Sequence, residues 1–261
     1  MKKKYKKRIK KRVYDILLAV SILMLAVSGF LFVKTMVDRR AVRNEEKEAE
    51  QIIVLNFPEA DTATAQESAP VYEEIPVPDE YLDLYNQNDD FIGIVRFADM
   101  SLYVCKGRDN EFYLTHKFDR SENPAGMIFL DISCVFEAGD NFLLHGHNMD
   151  DGSRFGKLKR FKREPYLKAH PVITFDTIRG NHEYRVAAVF EASFTMSDSN
   201  YFVYQVPRFA DEAAFDAYIA RAKELSVFET GFSPAYGKPL LILSTCTDKD
   251  NERLVVLCGE I

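Results

Sequence analysis

Cysteine is scarce in this chain: four residues in 261, too few for a disulfide framework to be read from spacing, since four thiols permit three pairings. Cys105, Cys134 and Cys258 lie in apolar strand contexts and read as buried free thiols, which leaves Cys246 as the one to explain. Internal repeats are absent. So is any regular alternation of strand and helix, which argues against a doubly wound fold. Basic residues are in deficit over most of the length. Nine of the 34 Lys and Arg fall within residues 1–12, and one of the 40 acids, Asp15, precedes residue 16. The remainder is 25 basic against 39 acidic residues, a net of about −14. Such a surface argues against nucleic acid as a partner.

The charge that is present is segregated. Residues 1–12 form a basic tail without an acid, and Ile16–Val33 follows as 18 apolar or small residues without a charge. At a helical rise of about 1.5 Å per residue this run approaches the roughly 30 Å of a hydrocarbon core. Residues 13–36 are therefore expected to be a single membrane anchor, with the basic tail in the cytoplasm and everything after it outside the cell. A cleaved signal peptide competes through Ala26 and Ser28, but 18 residues exceed the usual apolar region of about 7 to 15. Residues 37–79, charged and then rich in Pro, Ala, Thr and Glu, read as an extracellular stalk.

Residues 80–261 carry the folded domain. Tyr81, Leu82, Leu84 and Tyr85 suggest a short amphipathic helix. Strand signals follow at residues 91–97, 101–105, 112–114, 127–131, 141–146, 172–175 and 183–194, with a final pair at 240–243 and 254–257. Helical segments are expected at 155–168 and 211–225, the second with Ala214, Phe215, Tyr218, Ile219 and Ala222 on one face. The order predicts a mostly β fold, a closed and mostly antiparallel barrel of about eight strands with helical insertions.

Two stretches carry chemistry. In the last strand pair, an apolar run delivers Ser244, Thr245 and Cys246 to a polar loop, and Arg253 stands seven residues beyond the cysteine. A thiol at a strand end with a cation beside it suits nucleophilic catalysis, because positive charge favours the thiolate over the thiol. The second stretch, residues 141–156, reads NFLLHGHNMDDGSRFG. Its His145 and His147 project from one face if the strand continues through Gly146. One of them could pair with Cys246, both could ligate a metal with an acid such as Asp150, or both could be structural. His116, His170 and His182 read as surface or structural residues.

GHN followed by MDDGSRFGKL, IFLD at 128–131, and LSTC with Arg253 seven residues on resemble the sortases, most of all class B, the membrane-anchored cysteine transpeptidases of Gram-positive bacteria. The resemblance spans roughly residues 80–261. Two positions depart from the family pattern: Ile242 opens the motif that ends in Cys246, and His145 stands where an aromatic is common. Both bear on substrate preference. The resemblance implies a sortase-like barrel in which Cys246 is the nucleophile, His147 the proton carrier and Arg253 the oxyanion donor, with Arg253 as a substrate clamp or surface ion pair as the alternatives. Asn148, Ser244 and Thr245 are expected at the substrate, and no metal or cofactor is expected. The implied partners are surface proteins bearing a C-terminal sorting signal and an amine of the cell-wall peptide. The implied location is the cell membrane, single-pass, with the catalytic domain outside. An anchored cell-wall peptidase using water, or a non-catalytic extracellular binding module, are the competing functions.

Overall fold

The computed structural model of the chain describes residues 24, 25, 27–30, 76–136 and 141–261. The unit Met1–Glu48 contributes six of these, all helical and exposed. The rest of the expected anchor, the basic tail and nearly all of the stalk lie outside the described residues. Among the described residues no helix is long and apolar enough to cross a membrane.

The remaining residues build helix α1 (Asp79–Gln87), strands β1 (Phe91–Phe97), β2 (Met100–Cys105), β3 (Ile128–Leu130) and β4 (Phe142–His145), and helix α2 (Glu164–Ala169). Strands β5 (Val172–Thr177) and β6 (Gly180–Ser193), helix α3 (Glu212–Leu225) and strands β7 (Leu240–Cys246) and β8 (Glu252–Glu260) complete the chain. The eight strands close in the order β1-β2-β3-β4-β7-β8-β6-β5. Six pairings are antiparallel. Two are parallel, β2 with β3 and β4 with β7. The expected barrel is the one observed.

Why these segments become strands is plain from their burial. β7 and β8 read LLIL and LVVLC with every one of those residues buried. Continuous apolar runs of this kind belong to strands covered on both faces. Helix α3 packs against the neighbouring strand β6. Asp211 caps it by accepting from Ala214 N at 2.8 Å, and its Phe215, Tyr218, Ile219 and Ala222 are buried against the barrel, as the periodicity predicts.

Two expectations need correction. Residues 112–114 form a short 3-10 turn rather than a strand, because the Asp109 carboxylate accepts from both Glu111 N and Phe112 N, at 2.9 and 2.8 Å, and folds the chain back on itself. The expected helix at 155–168 is broken into a 3-10 segment, Leu158–Lys162, and α2. Pro165 has no N–H for the Phe161 carbonyl, so the helix can restart only with proline in its first turn.

The parallel β4–β7 pairing positions everything that follows. It joins Phe142 to Leu241 and His145 to Ser244, so two segments about a hundred residues apart end on the same rim of the barrel. At the opposite end of these strands, buried Asn141 ties the start of β7 to the segment before α3. Its side chain donates to Val206 O and accepts from Leu240 N, each at 2.9 Å, and its own N–H donates to Pro207 O. Asn141→Ala strands two buried backbone groups at a cost of roughly 1 to 3 kcal/mol each. At about 2 to 4 °C per kcal/mol for a domain of this size, thermal unfolding should show a drop of about 5 °C or more. An unchanged midpoint would mean that these bonds contribute nothing.

Candidate active site

The rim where β4 and β7 end holds the residues singled out from the sequence. Cys246 is the last residue of β7 and pairs directly with Arg253, the second residue of β8. It is also the exposed cysteine; Cys105, Cys134 and Cys258 are buried. Burial pushes the Cys105 thiol up to about 12 and raises that of Cys258 further, so both stay protonated and inert at neutral pH.

β4 stops at His145, and the chain then turns through Gly146, His147 and Asn148 beside the end of β7. Three hydrogen bonds stitch the two segments, and a fourth closes the loop that follows. Gly146 N donates to Ser244 O at 3.3 Å and Thr245 Oγ1 to Gly146 O at 2.7 Å. Phe155 N donates to His147 O at 3.0 Å, closing the following loop, and Asn148 Nδ2 donates to Cys246 O at 3.1 Å. Gly146 is required here, because a Cβ would overlap the side chains of Ile128 and Phe155. His147 thus sits between a residue bonded to Thr245 and a residue bonded to Cys246.

Because the strand ends at His145, the two histidine rings have separate partners. His147 Nε2 meets the Leu114 carbonyl at 2.8 Å. His145 Nε2 meets Asp131 Oδ2 at 2.7 Å, and its ring lies 5.4 Å from that of Phe129. Among the described residues no group of three His, Cys, Asp or Glu side chains could hold a metal ion.

Arg253 Nη1 donates to Asp250 O and Glu252 O at 3.0 and 2.9 Å, and the guanidinium carbon stands 5.3 Å from the Phe194 ring centroid. These contacts fix the fork at the base of the β7–β8 loop. Among the described residues no carboxylate pairs with it. Glu252 is turned instead to Lys249 and Asn200, at 2.7 and 3.3 Å.

Ser244 and Thr245, expected in a polar loop at the substrate, belong to β7 and are buried. The Ser244 hydroxyl bonds the Tyr204 hydroxyl at 2.7 Å, and Thr245 bonds Gly146 as above. Both hydroxyls hold the strand that ends in Cys246 in place. Tyr204 is held in turn by Tyr218 of α3, whose hydroxyl donates to Tyr204 O at 2.9 Å, so the helical insertion is linked to the strand end by two tyrosines. Asn148 is half-buried, with its Oδ1 lacking any hydrogen-bond partner.

Sequence reasoning missed Asp131. Its carboxylate, 7% exposed, takes four donors: His145 Nε2, Asn110 Nδ2 at 3.0 Å, and Ser133 N and Oγ at 2.9 and 2.6 Å. An acid closing the apolar run IFLD was the available signal. Its partner His145 occupies the position where the family pattern has an aromatic.

The sortase domain family model matches residues 98–260. The chain is similar to Sortase B of Listeria monocytogenes, 32% identical over 181 residues that cover 68% of this chain and 71% of that protein. It is similar to Sortase B of Staphylococcus aureus, 26% identical with 68% and 73% covered. Its fold resembles the crystal structure of Clostridium perfringens sortase B with a TM-score of 0.62 at 26% identity, covering 69% of this chain and 98% of that one.

The Asp131 carboxyl gives the site a pH signature. Burial opposes its charge, but the His145, Ser133 and neighbouring donors outweigh that and hold it down at about 2. An unfolded aspartate titrates near about 3.9. Since the folded value is the lower one, the carboxylate's contribution to stability is complete above pH 4 to 5 and is lost as pH falls toward 2. Asp131→Asn should therefore cost roughly 2 to 3 kcal/mol at pH 7 by denaturant titration, and the difference from the parent should shrink between pH 4 and 2. A difference independent of pH would exclude an ionised Asp131.

Proposed function

Because the chain belongs to the sortase family and its relatives are class B sortases, and is therefore a cysteine transpeptidase, we propose that Cys246, His147 and Arg253 carry its acyl transfer. The observation that supports this most is the rim itself: exposed Cys246 is paired across the β7–β8 ladder with an arginine that has no acidic partner among the described residues, and its carbonyl accepts from the residue after His147.

In this reading Cys246 Sγ attacks the threonine carbonyl carbon of a sorting signal. As the oxyanion forms, the guanidinium donors not used on Asp250 and Glu252 are available to it. Arginine suits that role because its charge is permanent and its donors are preorganised. His147 takes the thiol proton and gives it to the departing amine as the C–N bond breaks, leaving a thioester on Cys246. The amine of a cell-wall peptide then attacks the thioester and loses its proton to His147, and the C–S bond breaks as the new amide forms. Asn148, Ser244 and Thr245 act through position, by fixing Cys246 relative to the His147 loop.

Sortases act at the cell surface on proteins with sorting signals. For this chain we extend that to a single-pass anchor at residues 13–36, a cytoplasmic tail at 1–12, a stalk at 37–79 and an extracellular catalytic domain at 80–261. The basic tail ahead of an uncharged run supports that orientation.

Mass spectrometry of the full chain incubated with sorting-signal peptides and wall-peptide amines tests the reaction directly, because amide product and free carboxylate differ in mass. Cys246→Ala should abolish both products while leaving thermal unfolding unchanged, since the residue is exposed at a strand end; cleavage by the folded variant would remove the nucleophile. Arg253→Lys should lose on the order of 10² to 10³ in kcat, as removal of one oxyanion donor does, with KM little altered. A rise in KM at constant kcat would instead make Arg253 a uniform substrate clamp.

A further inference from the structure

His147 has a hydrogen-bond partner that can only accept. Its Nε2 lies 2.8 Å from the Leu114 carbonyl oxygen, so the proton of the neutral ring must sit on Nε2, and the lone pair is left on Nδ1. We infer that the Leu114 carbonyl fixes the tautomer of His147, that Nδ1 is the nitrogen exchanging protons with Cys246 and the two amines, and that Gly126 is a positioning residue for the reaction because it holds this carbonyl in place. The inference rests on the reading of His147 as the proton carrier and adds which atom does the work.

The carbonyl is built into the fold with some care for its direction. It belongs to the 3-10 turn at Phe112–Leu114, whose start is capped by Asp109 and whose Leu114 N donates to Glu111 O at 3.1 Å. Tyr113 inside the turn is fully buried, with its hydroxyl 2.7 Å from Asp90. Met127 N donates to Tyr113 O at 2.8 Å, and Asn123 N to Thr115 O at 2.7 Å, so the 123–127 segment lies along the turn. Gly126 makes that approach possible. Its φ is +54°, and a Cβ there would run into the carbonyls of Tyr113 and Leu114. No other residue fits without pushing the Leu114 carbonyl aside. Arg154 Nε reaches Ala125 O at 3.3 Å from the loop after His147, which ties the supporting segment back to the histidine it serves.

The arrangement does what the orienting carboxylate does in a serine triad, with a neutral dipole in its place. When Sγ–H gives its proton to Nδ1, the ring becomes an imidazolium whose Nε2–H still donates to Leu114 O. When the C–N bond of the substrate breaks, the Nδ1 proton passes to the departing nitrogen and the neutral ring returns to the same tautomer. Neither transfer requires the ring to turn.

The test is ¹⁵N NMR of the full chain in detergent micelles with labelled histidine, the His147 signals being identified by their absence in His147→Gln. Protonated Nε2 with bare Nδ1 in the neutral ring is expected; a protonated Nδ1, or an even mixture, overturns the inference. Gly126→Ala should mix the tautomers and lower kcat on the order of 10²-fold, the scale of a small misplacement of a catalytic group, with KM nearly unchanged. A folded Gly126→Ala with both the tautomer and kcat intact overturns the role of the glycine. If that variant does not fold, the parent spectrum still decides the tautomer. An active His147→Ala would instead sink the assignment of the proton carrier, whereas an inactive one with Nδ1 protonated in the parent sinks this inference alone.

Discussion

The parallel pairing of β4 with β7 is the constraint on which the rest depends. It sets His145 beside Ser244, and from that register the cross-links Gly146 to Ser244, Thr245 to Gly146 and Asn148 to Cys246 follow in order. A slip of one residue would turn the buried side chains of β7 to the wrong face and carry Cys246 away from the His147 loop. The buried hydroxyls of Ser244 and Thr245 oppose that slip, because each meets its partner in this register.

Around this pairing the polar groups serve as struts. Asp131 is buried with four donors, and Tyr204 bridges Ser244 to α3 through Tyr218. Buried polar groups are tolerated only when satisfied, and a satisfied network has one geometry. The consequence is preorganisation: the strand end bearing Cys246, the loop bearing His147 and the fork of Arg253 are each held in place by hydrogen bonds of their own.

Much of this was legible beforehand. Runs such as Phe91–Phe97 and Leu254–Leu257 have no alternative to being buried strands, and the apolar face of α3 follows from spacing alone. Cys246 stood out because a strand-end thiol among polar neighbours differs in kind from three thiols in apolar runs. What failed was local. The 3-10 turn at Phe112–Leu114 was read as strand because three apolar or aromatic residues have no period, and the Asp109 side chain decided the matter. Ser244 and Thr245 were read as exposed because their hydroxyls are polar, whereas the barrel supplies both with buried partners.

The sequence by itself determined most of the strands and the closed mostly β architecture, and singled out Cys246 and Arg253, because burial of apolar runs and the chemistry of single side chains are properties each segment carries alone. Only the tertiary structure decided which histidine is bound to Asp131, which one meets the Leu114 carbonyl, and which ring nitrogen of His147 is left with a lone pair. Those depend on partners distant in the chain, and the last depends on a backbone carbonyl, a group that every residue possesses and that no sequence pattern can distinguish.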